Sequence, residues 1–248
     1  LPLAAMGHPW AVASAVRPHT RRRATFTGVS DHAGTTLLPF RHDPTIPLAQ
    51  TIVAARRTVA ESGDPHAVAT IGRTQLEPGG TNVIAGRATC WLDCRTETDE
   101  MLTCVVDAIT AASQQAAEAE GCQVSWQRES LTPRTEFDAS LTARVQKVLE
   151  ETIGKTPILS TGAGHDAAVL AAEVPTAMVF VRNPTGSSHT PTECATDEDC
   201  RAGVRGLAAV LKDVMLNGVA AGNSCRTEEL GPSHGSGVPW LPGRGGAA

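Results

Sequence analysis

Tyrosine is missing from all 248 residues, and aromatic side chains make up only 3% of them. Stacking platforms for nucleobases are therefore not expected. Positive charge is not in excess either. The net charge is −5 and the pI about 5.9, so no basic field is present to hold nucleic acid. No apolar run reaches the roughly 20 residues of a membrane helix, so no membrane partner is expected. Leu1 to Val16 is broken by Gly7, His8 and Pro9 and does not read as a charged-then-apolar leader. CxxC knuckles, HxH and HExxH motifs are absent. The seven cysteines (Cys90, Cys94, Cys104, Cys122, Cys194, Cys200, Cys225) are odd in number and scattered. That usage suits free thiols in a reducing cytoplasm better than a disulfide framework.

What remains is an α/β pattern rich in Ala and Val, long enough for one large domain or two small ones. Residues 1–23 show no clean period and are expected to be irregular, with Arg17, Arg21, Arg22 and Arg23 clustered near Pro18 and His19. Ala24 to Val29 alternates as a strand. Pro44 to Glu61 reads as a helix with Leu48, Ile52 and Val53 on one side. His66 to Leu76 and Asn82 to Arg95 read as strands around the Pro78-Gly79-Gly80 turn. Thr98 to Glu120 is a helix with an apolar stripe of Met101, Leu102, Val105, Val106, Ile109 and Ala112, closed by Gly121. Cys122 to Arg128 returns as a strand. The order β-α-β-β-α-β predicts a ferredoxin-like unit over about 24–130.

A second α/β unit is expected over 131–217. Ala139 to Ile153 is a helix with Leu141, Val145, Val148 and Leu149 inward. Pro157 to Ser160 is a short strand, and His165 to Glu173 is helical. Pro175 to Val181 is a continuous apolar run, as in a central parallel strand. Thr196 caps a helix to Met215, with Val204, Leu207, Leu211, Val214 and Met215 as its buried face. This unit has too few strands to close a core alone. The tail, 218–248, reads as disordered.

Four polar clusters carry candidate chemistry, and each also has an ordinary structural reading. Ser30 to Thr36 ends a strand. His32 there can donate to a developing oxyanion, or the cluster is simply a capped turn. Asn82 and Arg95 sit at opposite ends of one strand. Arg95 suits bidentate capture of a carboxylate, or it pairs on the surface with Asp93. Thr161-Gly162-Ala163-Gly164-His165-Asp166 is an anion nest or a plain strand-to-helix turn. Arg182 to Glu193 follows the apolar strand, and His189 there is a metal ligand or a lone loop histidine.

Taken in order, "FTGVSDHAGTT", "TNVIAGR…LDCR", "GAGHDA" and "VFVRNPTGSSHTPTE" resemble the family of N-carbamoyl-L-amino-acid hydrolases, allantoate amidohydrolases and β-ureidopropionases, within the zinc aminoacylase–carboxypeptidase superfamily. Matching segments run from Thr25 to about Met215. The resemblance implies an α/β metallohydrolase whose β-α-β-β-α-β unit is a lid and dimerisation domain. It implies hydrolysis of a linear amide or ureido C–N bond with two divalent ions, Zn or Mn, with Co or Ni also suited to such ligands. By matching position, His189 is the last metal ligand, and His32 is the lid histidine that stabilises the tetrahedral intermediate. Asn82 and Arg95 bind substrate, Arg95 at its carboxylate. Ala163 and Gly164 touch substrate through their backbone. A homodimer through the lid is implied.

The family's other metal ligands and its Glu-Glu pair have no counterpart here. Leu1-Pro2-Leu3 resembles the stretch after the family's lid-proximal histidine, and the pattern is then lost until Thr25. A shortened or locally shifted reading frame is the expectation. Within the lid, Gly79 and Ala85 stand where Asn and Pro are common. One histidine does not hold a dinuclear site, so negligible catalysis is expected from this chain alone. Three readings stay open: part of a carbamoylase or allantoate hydrolase, an inactive dimerising or binding module, or a hydrolase of peptides or acylated amino acids. The Arg182 to Pro191 loop favours the first over the third.

Overall fold

The computed structural model describes residues 2–218, so the tail expected to be disordered lies almost wholly outside the described residues. Two sheets organise the chain. A short turn of helix, α1 (Pro2–Ala5), leads into β1 (Trp10–Val16), the hub of the first sheet. β1 pairs in parallel with β9 (Ile158–Thr161), and antiparallel with β10 (Val179–Val181) and β8 (Thr135–Glu136). Trp10 and Val12 pack with Val145 and Leu149 of α4 (Ala139–Ile153) and Ala202 of α6 (Asp197–Asn217). Ala13 and Val16 pack with Phe137 and with Ala167 of α5 (Asp166–Leu170). A strand covered on both faces is apolar along its whole length. Trp-Ala-Val-Ala-Ser-Ala-Val is such a run, bounded by Pro9 and Pro18.

The second sheet has the order β4-β6-β2-β7, antiparallel throughout. Its strands are β2 (His19–Thr27), β4 (Val68–Glu77), β6 (Arg87–Arg95) and β7 (Gln123–Thr132). α2 (Thr45–Glu61) and α3 (Asp99–Ala119) cover one face. Phe26, Cys90, Leu92, Cys94, Val105 and Ile109 are buried beneath them. Thr98 caps α3 by accepting from Met101 N. Gly121, at φ +66°, makes the turn after α3 that a side chain would strain. The opposite face is polar and open. Arg21 pairs with Asp93 at 3.2 Å, Arg23 donates to Gln127, and Arg73 stacks on Trp91 at 4.1 Å. A two-strand ribbon, β3 (Asp31–His32) with β5 (Val83–Ile84), projects from one end.

Several expectations are corrected. Residues 1–23 are not irregular, because they hold β1 and the first half of β2. The clustered arginines concealed β2, yet Arg21 and Arg23 simply occupy its open face. The sheet of the first unit therefore spans 19–132 rather than 24–130, and 10–16 belong with the second unit. β10 is antiparallel to β1 and half-buried, not a central parallel strand. In α6 the expected buried face is turned outward: Val204 is 70% and Met215 83% exposed, while Asp199, Ala202 and Gly206 face inward. In α2, Ile52 and Val53 are also exposed. Pro47, Leu48, Thr51, Ala54 and Ala55 are buried instead.

Candidate functional site

The ribbon brings His32 and Asn82 together. His32 lies opposite Val83, and Ala33 N donates to the Asn82 carbonyl at 3.0 Å. Gly34 N donates to His32 Nδ1 at 3.0 Å. Nδ1 is thus the acceptor, and the neutral ring carries its proton on Nε2, which points to no partner among the described residues. A Cβ on Gly34 would stand 3.2 Å from His32 Cε1, so a side chain there would crowd the ring. Arg41 fixes the same loop, donating to Ala33 O at 2.6 Å and Thr36 O at 2.9 Å. The hydrogen bond from His32 N, followed by one from Thr36, holds the Asp31 carboxyl below its ordinary range.

Arg95 lies at the other end of β6. Its Nε and Nη2 grip Asp93 at 2.8 and 3.1 Å, and its Nη1 donates to Gly162 O at 2.6 Å. Burial opposes ionisation of Asp93, but hydrogen bonds and charge from Arg95 and Arg21 outweigh it and hold the carboxyl below its ordinary range. Arg95 thereby ties the second sheet to the loop after β9. Ala163 and Gly164 are exposed on that loop, and Ala163 N donates to Thr161 Oγ1 at 3.1 Å. The helix that follows is short, and one of its first N–H groups is already engaged. α5 has five residues, and His165 Nδ1 already accepts from Ala167 N at 3.0 Å.

The loop after β10 is organised by Asn183. Its Oδ1 accepts from Thr185 N and Gly186 N, and its Nδ2 donates to Ser187 O at 2.6 Å. His189 is exposed, at φ 57°, and its N donates to Glu193 Oε2 at 2.8 Å. Among the described residues no other non-glycine has positive φ. Such strained positions gather at functional sites.

A cleft of about 630 Å³ lies over the first sheet, lined by Arg17, His66, Thr161, Asn183, Ser187 and Glu193 among others. Arg17 enters from the C-terminal end of β1. Asn183 enters from the opposite end, because β10 runs antiparallel. A small-molecule site commonly has this volume. Arg95 touches the cleft's rim through Gly162. His32 and Asn82 do not approach it, for eight extended steps of β6 separate the two ends by roughly 25 Å.

A profile of peptidase family M20/M25/M40 matches residues 29–213. The chain belongs to that family. It is 33% identical over 188 residues to an N-carbamoyl-L-amino acid amidohydrolase of Geobacillus stearothermophilus, covering 74% of this chain and 44% of that protein. It is 28% identical over 208 residues to allantoate amidohydrolase of Escherichia coli (strain K12), covering 83% and 50% respectively. A crystal structure of a hydantoinase/carbamoylase family amidase from Burkholderia ambifaria superposes with a TM-score of 0.76 at 32% identity, over 85% of this chain and 50% of that one. The chain spans about half the length of the curated relatives it matches.

M20 enzymes are generally metal-dependent. Among the described residues no three His, Cys, Asp or Glu side chains converge on one point. His189 and Glu193 are neighbours, but a two-metal centre takes several N and O donors. The described residues do not by themselves fit one.

Arg17, Asn183 and the Arg134–Glu97 pair at the junction were not singled out as site residues from the sequence. Arg134 Nη1 meets Glu97 Oε1 at 2.7 Å, and Ser160 Oγ donates to Glu97 Oε2 at 2.8 Å. One signal was available for Arg17. It directly follows a short, mostly apolar run that begins after Pro9, and ligands collect at the carboxyl ends of such strands.

Proposed function

We propose that this chain is the lid and substrate-holding part of an M20 hydrolase acting on linear amide or ureido C–N bonds, of the N-carbamoyl-amino-acid or allantoate amidohydrolase type. The observation that carries the reading is the free Nε2 donor of His32 beside Asn82, in a chain whose family relatives bear those names. A preset N–H aimed at developing negative charge stabilises a tetrahedral oxyanion without reorganising. Asn82 adds an amide that both donates and accepts. Arg95 holds Gly162 O and so poses the exposed backbone at Ala163 and Gly164 for a ligand. His189 offers one imidazole to a metal. These residues bind, orient and hydrogen-bond the substrate.

The sheet unit, with its β-α-β-β-α-β order and two covering helices, acts in this reading as a ferredoxin-like lid and dimerisation domain. Two ends roughly 25 Å apart serve one substrate only if they come from two chains, which favours a homodimer through the lid. The free cysteines suit a reducing cytoplasm. The test is calorimetric titration of the full chain with N-carbamoyl-L-amino acids and allantoate. Saturable binding is expected, weakened about tenfold by Asn82→Ala. Binding of acylated amino acids or dipeptides in place of ureido compounds would overturn the reading.

A further inference from the structure

Strand pairing places the His32 backbone, but it does not set the direction of the ring. A single hydrogen bond does that, from Gly34 N to Nδ1 at 3.0 Å. The bond lasts only while the turn from Ala33 to Thr36 keeps its shape. Two backbone donors help to hold that turn: Thr36 N gives to His32 O at 3.2 Å, and Ala33 N gives to Asn82 O at 3.0 Å. They leave the carbonyls of Ala33 and Thr36, one on each side of Gly34, to find other donors. Both find Arg41, whose Nη2 reaches Ala33 O at 2.6 Å and whose Nε reaches Thr36 O at 2.9 Å.

Arg41 projects from a fixed post. Its own N donates to Leu38 O at 3.1 Å and closes the 3-10 turn Leu38–Phe40. The next residue, His42, accepts at its carbonyl from Val29 N at 2.9 Å, and a Cβ on Gly28 would stand 2.0 Å from that oxygen. The two ends of the loop are thus tied together at its base. Arg41 forms no salt bridge among the described residues, so no carboxylate competes there for its fork. Two carbonyls at fixed separation suit a planar guanidinium, whereas an ammonium is a single point donor.

We propose that Arg41 is a positioning residue for His32. It clamps the two carbonyls that flank Gly34, keeps Gly34 N against Nδ1, and so keeps the Nε2 proton directed at the ligand carbonyl. The last step rests on the hydrolase reading above; the clamp itself does not.

The experiment has two readouts on the full chain. The first is hydrogen exchange of the Gly34 amide by NMR, with urea unfolding as the control for global stability. Arg41→Met should speed exchange about tenfold with the unfolding midpoint nearly unchanged, and Arg41→Lys should fall between it and wild type. Unchanged Gly34 exchange in Arg41→Met, or a change matched by the loss of global stability, overturns the clamp. The second readout is calorimetric titration with N-carbamoyl-L-alanine. Arg41→Met should weaken binding about tenfold when His32 is present and cause no further loss in a His32→Ala background. Equal losses in both backgrounds overturn the claim that Arg41 acts through His32. Gly34→Ala, whose Cβ would stand 3.2 Å from His32 Cε1, should reproduce the affinity loss with Arg41 intact, and it serves if Arg41→Met fails to fold. Absence of binding by wild type overturns the hydrolase reading and the ligand step with it, while the exchange result still decides the clamp.

Discussion

Asp199 shows how one side chain can anchor the start of a long helix. It is fully buried and accepts from Arg182 at 2.8 and 3.1 Å and from the Thr196 hydroxyl at 2.8 Å. Thr196 Oγ1 in turn accepts from Asp199 N, capping α6. Burial opposes the charge, yet Arg182 and Thr196 outweigh it and hold the carboxyl below its ordinary range. A depressed folded pKa means stability that is present above about pH 4 and lost as pH falls through the folded value. Asp199→Asn should cost about 3 kcal/mol in urea unfolding at pH 7, because it leaves Arg182 unpaired beside a buried amide. The gap between wild type and variant should narrow as the pH falls below about 4. A gap that widens in acid would contradict this account. The cap was readable from Thr196 and the acidic residues after it, since capping is local. The Arg182 partner, 17 residues away, was not.

At the scale of elements, α6 shows what periodicity leaves open. The sequence spacing tells which residues share a face, and Val204, Leu207, Leu211 and Met215 do share one. It does not tell which face finds a partner. The packed face is the one with small residues: a Cβ on Gly206 would stand 2.5 Å from Trp10 Cη2 and 2.7 Å from Leu149 Cδ2. Alanine is the better helix former by about 1 kcal/mol. Gly206→Ala should nevertheless destabilise the chain by about 2 kcal/mol in chemical denaturation, because overpacking outweighs propensity. A stabilised variant would show that the helix stands off from β1. His19 to Arg23 pair with both β6 and β7, so a fragment of residues 18–133 should melt cooperatively by circular dichroism. A fragment of 24–130, lacking half of that central strand, should not. Equal transitions would place the first half of β2 outside the unit.

At the scale of the molecule, the geometry splits the polar clusters into two groups. His32 and Asn82 share one end of the antiparallel β4-β6-β2-β7 sheet; Arg95, Gly162 and Arg17 meet at the other. The second group sits on a junction built from charge, with Arg134, Glu97, Ser160 and Thr96 bridging the units. Among the described residues β4 and β7 are unpaired sheet edges, and α2 leaves Ile52 and Val53 exposed. Such edges and faces are managed by covering them. Sedimentation velocity of the full chain should therefore give a dimer at micromolar concentration, and Val53→Glu should shift it toward monomer. A strictly monomeric wild type at all concentrations would remove the two-chain site.

The sequence by itself determined helices α2 to α6, the Thr196 cap, the α/β class and the four motifs that carry the family resemblance. These depend on contacts within a few residues, where propensity, capping and spacing act directly. It did not reveal β1, because a short apolar run has no period of its own and becomes a strand only when β8, β9 and β10 supply its hydrogen bonds. It did not set the direction of β10, which side of α6 is buried, or which arginine is left without a partner. Only the tertiary structure decided those, because each depends on groups that chain folding brings together from far apart in the sequence. Asp93 lies two residues from Arg95 and satisfies it, whereas the groups around Arg17 come from the loop before β4, from β9 and from the β10 loop, and leave its Nε without an acceptor among the described residues.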